Sequence, residues 1–456
     1  MFVIYKKYFS VIVFIIISLY FVNNYLETSS QNTLPINDEL AYIGEGIHLR
    51  DISYDFREII SRMRTPLLPL VISFLAQNKG PLIQNSEEYM KLYRDSQISI
   101  ILIVCFINCI SFLKMKKRFN YNYIVLFFFI YLYSIPLTAQ ITEVLVEPIF
   151  MSLYLLFIIL VFEIKDSTNK KEYVFIGFVG GILFLAKFTG FLIFIFSIIS
   201  IGLYKLLIEK KHNALITFKY LTISFITFIF FGLPYIIANL SDGLNPFYSV
   251  SSKIIWYSSW QEAYEYIKIF DGNFGFKNIP DEYAPSLNYF LQNNGGFPGL
   301  IKRIEGGLSL LRKDFSNLYD LAGETKILFV ALIFLIFVVW VFIKKENIKP
   351  AYKNNLFEAF YVISLSTILL IGFTIYSPIV NDNRLYLYIT IPIIFLLFYI
   401  LDLLLSEFQS SSNRVLKTQN IVFLILFYLS LVLFEPFWFF QHPLGFIVSK
   451  IQILLG

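Results

Sequence analysis

Residues 173–204 read YVFIGFVGGILFLAKFTGFLIFIFSIISIGLY, largely apolar and uncharged except for Lys187 near the middle. A helical bilayer crossing takes about 20 residues, so the stretch is either one overlong span or two short ones that meet at Lys187. Its flanks decide. The basic runs 165–171 and 205–211 lie on either side of it, and cytoplasmic loops are the ones enriched in Lys and Arg. Both flanks share a side only if the chain crosses twice, so two helices, 173–186 and 188–204, are expected to meet outside near Lys187.

The same rule extends in both directions. Lys6, Lys7 and the runs 114–118, 344–349 and 414–417 fall on the same side when the apolar runs 8–22, 98–113, 121–133, 144–161, 215–238, 327–343, 357–376, 385–405 and 421–440 are counted as spans. The expected fold is an all-α polytopic membrane protein of about eleven transmembrane helices, with its N-terminus in the cytoplasm. It divides into an N-terminal transmembrane catalytic module (1–238, including external loop 23–97), a second external loop (239–326) and C-terminal transmembrane helices (327–456). The first apolar run lacks a small-residue cleavage site, so it is expected to stay as a span. The C-terminus, Lys450 to Gly456, carries no retrieval signal. A bacterial inner membrane is the expected location.

Composition agrees. Hydrophobic residues make up 57% of the chain and aromatic ones 19%, with mean hydropathy +0.67, which excludes a soluble multidomain enzyme. The net charge of +5 comes from short runs between spans, so nucleic acid is not an expected partner. Cys105 and Cys109 share one face of a span and form no disulfide framework. His48, His212 and His442 are too scattered to build a histidine metal centre.

The first external loop is patterned. Leu40, Ile43 and Ile47, then Phe56, Ile59, Ile60 and Met63, recur at helical steps and predict two amphipathic juxtamembrane helices lying along the membrane surface. The apolar stretch 67–75 is too short to span and is expected to tuck into the outer leaflet or the protein. Asn85 with Glu88 forms a capping-box pattern, starting the next helix well outside the bilayer. The second external loop scatters glycines among Trp256, Trp260, Tyr264, Tyr266 and Tyr283, which predicts short helices and turns. Its aromatic surfaces suit sugar rings or lipid headgroups, and equally anchor a loop at the interface.

Charge near the outer face supplies the candidate chemistry. Asp38 and Glu39 are adjacent, so on a helix their side chains diverge by about 100° and cannot serve one bond together. One carboxylate can act as general base while the other binds or orients; the pair would equally well favour a helix N-terminus. Arg64, Lys187 and Arg384 come from distant stretches but share the external face, where an anionic leaving group would need cations. Each alone is also a snorkelling interfacial cation. Glu143 and Glu147, four residues apart where a span enters, would face one way and could orient an acceptor or share a divalent cation with Asp38.

These pieces resemble the GT-C superfamily of integral-membrane glycosyltransferases, such as protein O-mannosyltransferases and lipid A aminoarabinose transferases. The resemblance is carried by Asp38-Glu39 with Tyr42 after the first span, by Arg64-Thr65-Pro66-Leu67-Leu68-Pro69, by Thr142-Glu143 to Glu147-Pro148, and by residues 181–190 around Lys187. Arg384-Leu385-Tyr386 with Pro392 adds a weaker fifth piece. The chain departs from the family pattern at Ala186, Leu68 and Leu385, where the family has a threonine, a tyrosine and no intervening residue. The resemblance implies inverting transfer of a sugar from a polyprenyl-phosphate donor, with Asp38 as general base and Glu39 assisting. It implies phosphate contacts at Arg64, Lys187 and Arg384, an acceptor oriented by Glu143, Glu147 and Tyr42, and a lipid, glycan or protein as that acceptor.

Two other classes fit part of the pattern. A flippase or transporter of lipid-linked sugars would put charges near the midplane and show inverted repeats. A glycan polymerase or ligase would place its arginines in late loops.

Overall fold

The computed structural model describes residues 11–12, 14–16, 18–23, 25–26, 35, 38–56, 64–77, 79, 86–115, 143–165, 167–209, 214–266, 268–269, 283, 285–317, 356–376, 378–379, 392 and 395. Every element among them is helical. In chain order these are α1 (Asp38–Asp51), α2 (Leu67–Ala76), α3 (Glu87–Met115), α4 (Glu147–Ile164), α5 (Lys170–Ala186), α6 (Thr189–Leu203), α7 (Ala214–Ser241), α8 (Ser251–Ile254), α9 (Trp260–Tyr266), α10 (Leu287–Asn293), α11 (Gly296–Asn317) and α12 (Leu356–Tyr376).

Five of the described helices are long and apolar enough to cross a membrane: α3, α4, α6 with its continuation to Leu207, α7, and α12 from Phe357. The chain is therefore a helical membrane protein. The expected spans at 121–133, 327–343 and 421–440 lie outside the described residues, as does that at 385–405 apart from Pro392 and Phe395. So does 57–63, most of the expected second surface helix.

The residues around Lys187 form the expected break. α5 starts at Asn169, whose side chain accepts from the Lys171 N–H, and ends at Lys187, which is extended with φ −155° and ψ 145°. The Gly190 N–H then bonds back to the Lys187 carbonyl at 2.9 Å. A Cβ on Gly190 would stand 2.5 Å from the Leu183 carbonyl, so only glycine lets α6 turn this close to the end of α5. After Leu203 the helix runs on as a π-helical segment, Tyr204–Glu209.

α4 is the centre of the bundle, buried along nearly its whole length, with α3, α5 and α6 around it. Its sequence is apolar on every face, as a fully enclosed helix requires. α5 packs along α7 with Gly177 against the Ser224 backbone and Gly181 against Phe228, the small-residue contact by which helices approach in lipid. At about 1.5 Å per residue α3 is longer than the roughly 30 Å hydrocarbon core, so one end stands clear of it. At that end the Ser86 hydroxyl accepts from the Tyr89 N–H at 3.2 Å; Asn85, the expected cap, lies outside the described residues.

One end of the bundle collects basic residues. Lys114 pairs with Glu163 at 2.7 Å, Lys205 donates to the Ser167 carbonyl at 2.7 Å, and Lys165 pairs with Glu358 of α12 at 2.6 Å. At the other end α1 and α2 pack side by side and run in the same direction, with Gly46 against Pro69 and Ile72 and their C-terminal ends pinned where Arg50 Nη1 donates to the Ala76 and Lys79 carbonyls, each at 3.1 Å.

The glycine-rich second loop departs from expectation. Short helices α8 to α10 do gather an aromatic core of Tyr248, Tyr257 and Tyr289. However, four of the glycines that predict turns, Gly296, Gly299, Gly306 and Gly307, sit in one long helix, α11, which packs against α12. Tertiary contact overrides the weak helix propensity of glycine there.

Candidate functional site

α1 presents charge on two faces. Asp38, Tyr42 and Glu45, spaced by four and three, share one face, and Glu39 points away from it. On the first face Arg64 Nη2 donates to Asp38 Oδ1 at 2.8 Å, and Nη1 lies 3.9 Å from Glu45 Oε1. The guanidinium carbon lies 5.5 Å from the centre of the Tyr42 ring. One arginine therefore bridges two carboxylates across an aromatic face.

A second ion pair completes the cluster: Lys187 Nζ is 2.9 Å from Glu147 Oε1. The break between α5 and α6 presents the lysine, and the first turn of α4 presents the glutamate. Thr65 joins the two halves by donating its hydroxyl to the Ala186 carbonyl, which sets Arg64 and Lys187, each next in sequence to a bonded residue, close together. Tyr42 lies within electrostatic reach of all four, Glu147, Lys187, Arg64 and Asp38. Burial is the largest influence on its phenol and pushes the pKa up, with the Glu147 charge adding to it. Tyr42 thus stays neutral and keeps its O–H.

Accessibility separates the two acids. The Asp38 side chain is 43% exposed, whereas that of Glu147 is 5% exposed. Asp38 is the carboxylate an incoming molecule can reach; Glu147 is committed to Lys187 inside the protein.

Glu39 is in a different environment. It is 3% exposed, and its Oε1 accepts from the Tyr93 hydroxyl at 2.9 Å and the Val144 N–H at 2.8 Å. It ties α1 to α3 and to the turn ahead of α4. Glu143 belongs to that turn, within electrostatic reach of Tyr93. Because α4 begins at Glu147, Glu143 precedes the helix and the expected one-face alignment of the two glutamates does not form.

The structure therefore brings together Asp38, Tyr42, Arg64, Glu147 and Lys187, and sets Glu39 and Glu143 around Tyr93. Arg384 lies outside the described residues. Among the described residues no group of three His, Cys, Asp or Glu side chains is placed to hold a metal ion; Asp38 and Glu147 face cations of the protein instead. Glu45 and Tyr93 escaped the sequence reading, and Thr65, though within the quoted run 64–69, had no role there. Glu45 was detectable, seven residues from Asp38 and so on its face of the helix. The bonds of Thr65 and Tyr93 span 121 and 54 residues, beyond any local pattern.

Chemically, the cluster offers an exposed carboxylate, two cations and a neutral phenol at one end of an apolar bundle. It can take a proton from a hydroxyl or amine and stabilise an anion. No model of a known protein family matches the chain, and no curated protein matches it.

Proposed function

We propose that the chain is a GT-C-like membrane glycosyltransferase that moves a sugar from a polyprenyl-phosphate donor to a lipid, glycan or protein acceptor, with inversion. The observation that carries this reading is the convergence on Tyr42 of an exposed carboxylate, Asp38, with two cations, Arg64 and Lys187. In the proposed step Asp38 takes the proton of the acceptor hydroxyl, whose oxygen bonds to the anomeric carbon. The bond from that carbon to the donor phosphate breaks, and the phosphate leaves with the electron pair. Arg64 and Lys187 neutralise that charge as it develops, with Arg384 as a third contact implied by the resemblance.

The remaining residues support these. Glu39 holds α1 in register from behind, Tyr42 keeps a donor beside the reacting groups, and Glu147 aims Lys187. Glu143 lies on the turn that Glu39 fixes and is available to the acceptor. The wider reading keeps about eleven spans, a cytoplasmic N-terminus and a site on the external side of a bacterial inner membrane.

A flippase for lipid-linked sugars is the second reading, because cations at a span end can also escort a lipid phosphate. Membranes containing the protein, supplied with a panel of radiolabelled polyprenyl-phosphate sugars, separate the two. Label passing from donor to acceptor is expected. Label that changes leaflet while staying on the carrier would favour the flippase.

A further inference from the structure

α11 packs on the end of α12 away from the Lys165–Glu358 pair, which closes the basic end of the bundle. We infer that α11 is a membrane-surface helix whose face of Phe297, Ile301 and Leu308 inserts among the acyl chains of the lipid leaflet at the end of α12.

Four observations carry this. At about 100° per residue the three side chains fall within about 40° of one another, and they are 68%, 57% and 48% exposed. Lys302, Glu305 and Ser309, also exposed, lie to one side of them, so the helix is amphipathic in the way that suits an interface.

Its depth is set by packing. Gly307 lies against the backbone of Thr374, so close that a Cβ would stand 2.0 Å from the Thr374 carbonyl oxygen. Thr374 is two residues from the end of α12, itself long and apolar enough to cross a membrane. The middle of α11 is therefore held at the level where a span leaves the hydrocarbon.

The span it packs against is itself exposed and apolar. Ile371, one turn before Thr374, is 52% exposed, and Phe360, Ile363 and Ile368 expose the same helix further down, as lipid contact requires.

Finally, the face is not needed for the aromatic unit beside it. A different side of α11 makes that contact through Arg303, which donates from Nη1 to the Ile255 carbonyl at 2.6 Å and from Nη2 to the Tyr257 carbonyl. Its guanidinium carbon sits 4.3 Å from the centre of the Phe290 ring. The helix thus anchors that aromatic unit to the membrane surface.

The test uses the full chain in lipid vesicles. Replacing Cys105 and Cys109, the two cysteines of the chain, by alanine leaves a background for single spin labels at Phe297→Cys, Ile301→Cys and Leu308→Cys. Lys302→Cys and Ser309→Cys mark the polar flank and report that α11 is folded. Molecular oxygen, which partitions into lipid, is expected to relax the first three labels strongly while a water-soluble nickel chelate reaches them several-fold less than the last two. Equal access of the chelate to all five would overturn the inference by placing the face in water. Poor access of both reagents to the first three would overturn it by showing a cover of protein, from this chain or a second copy.

Discussion

Asp38 and Glu39 share a peptide bond but stand in different surroundings. Asp38 is reachable and held by Arg64, whereas Glu39 is enclosed and accepts two hydrogen bonds. Glu39→Ala leaves the Tyr93 hydroxyl and the Val144 N–H without their acceptor, a loss of about 3 kcal/mol, so thermal unfolding in detergent should come several degrees earlier. Asp38→Asn should unfold close to wild type. Tyr42 adds a pH dependence. Its phenol is pushed up by burial first and by Glu147 second, so the unfolded chain loses that proton before the folded one. The stabilisation is complete below about pH 10 and falls as pH rises past it. Tyr42→Phe should flatten that alkaline decline when unfolding temperature is followed from pH 8 to 11. The divergence of Asp38 from Glu39 was legible, because helical geometry alone dictates it. The identity of the enclosed one was not, because Tyr93 and Val144 reach Glu39 from 54 and 105 residues away.

The pairing of helices accounts for where these groups stand. The break at Lys187 was legible from charge on both flanks, and it aims a lysine at Glu147 of α4. α11 was not legible, because glycine signals a turn locally and a close helix contact only once the partner backbone is known. The Lys165–Glu358 pair, 2% and 0% exposed, joins α4 to α12 beside the Tyr204 and Phe357 rings. Removing one partner of such a pair strands a buried charge at a cost of about 3–5 kcal/mol, whereas replacing both can be neutral. Lys165→Met should sharply lower the unfolding temperature and the yield of monodisperse protein. Adding Glu358→Leu to it should restore both. A double variant as unstable as the single one would mean that the pair does more than neutralise itself.

Among the described residues of the bundle, charged side chains gather at two ends. Lys114, Lys165 and Lys205 gather at one end of the bundle, and Asp38, Arg64, Glu147 and Lys187 at the other. The sequence foretold that separation, since the positive-inside pattern requires alternate span ends to match. It could not foretell that α4 would be the enclosed helix, which depends on which neighbours surround it. With the four site residues at one end, the proposed reaction takes place where the bundle meets the aqueous face, with α1 and α2 over it.

The most direct measurement is sugar transfer from a polyprenyl-phosphate donor by wild type and Asp38→Asn, reconstituted at matched abundance and equal thermal stability. Turnover by the wild type is expected, with a loss of at least about a hundredfold in the variant, as befits removal of a general base. Near-normal turnover by Asp38→Asn would contradict that role.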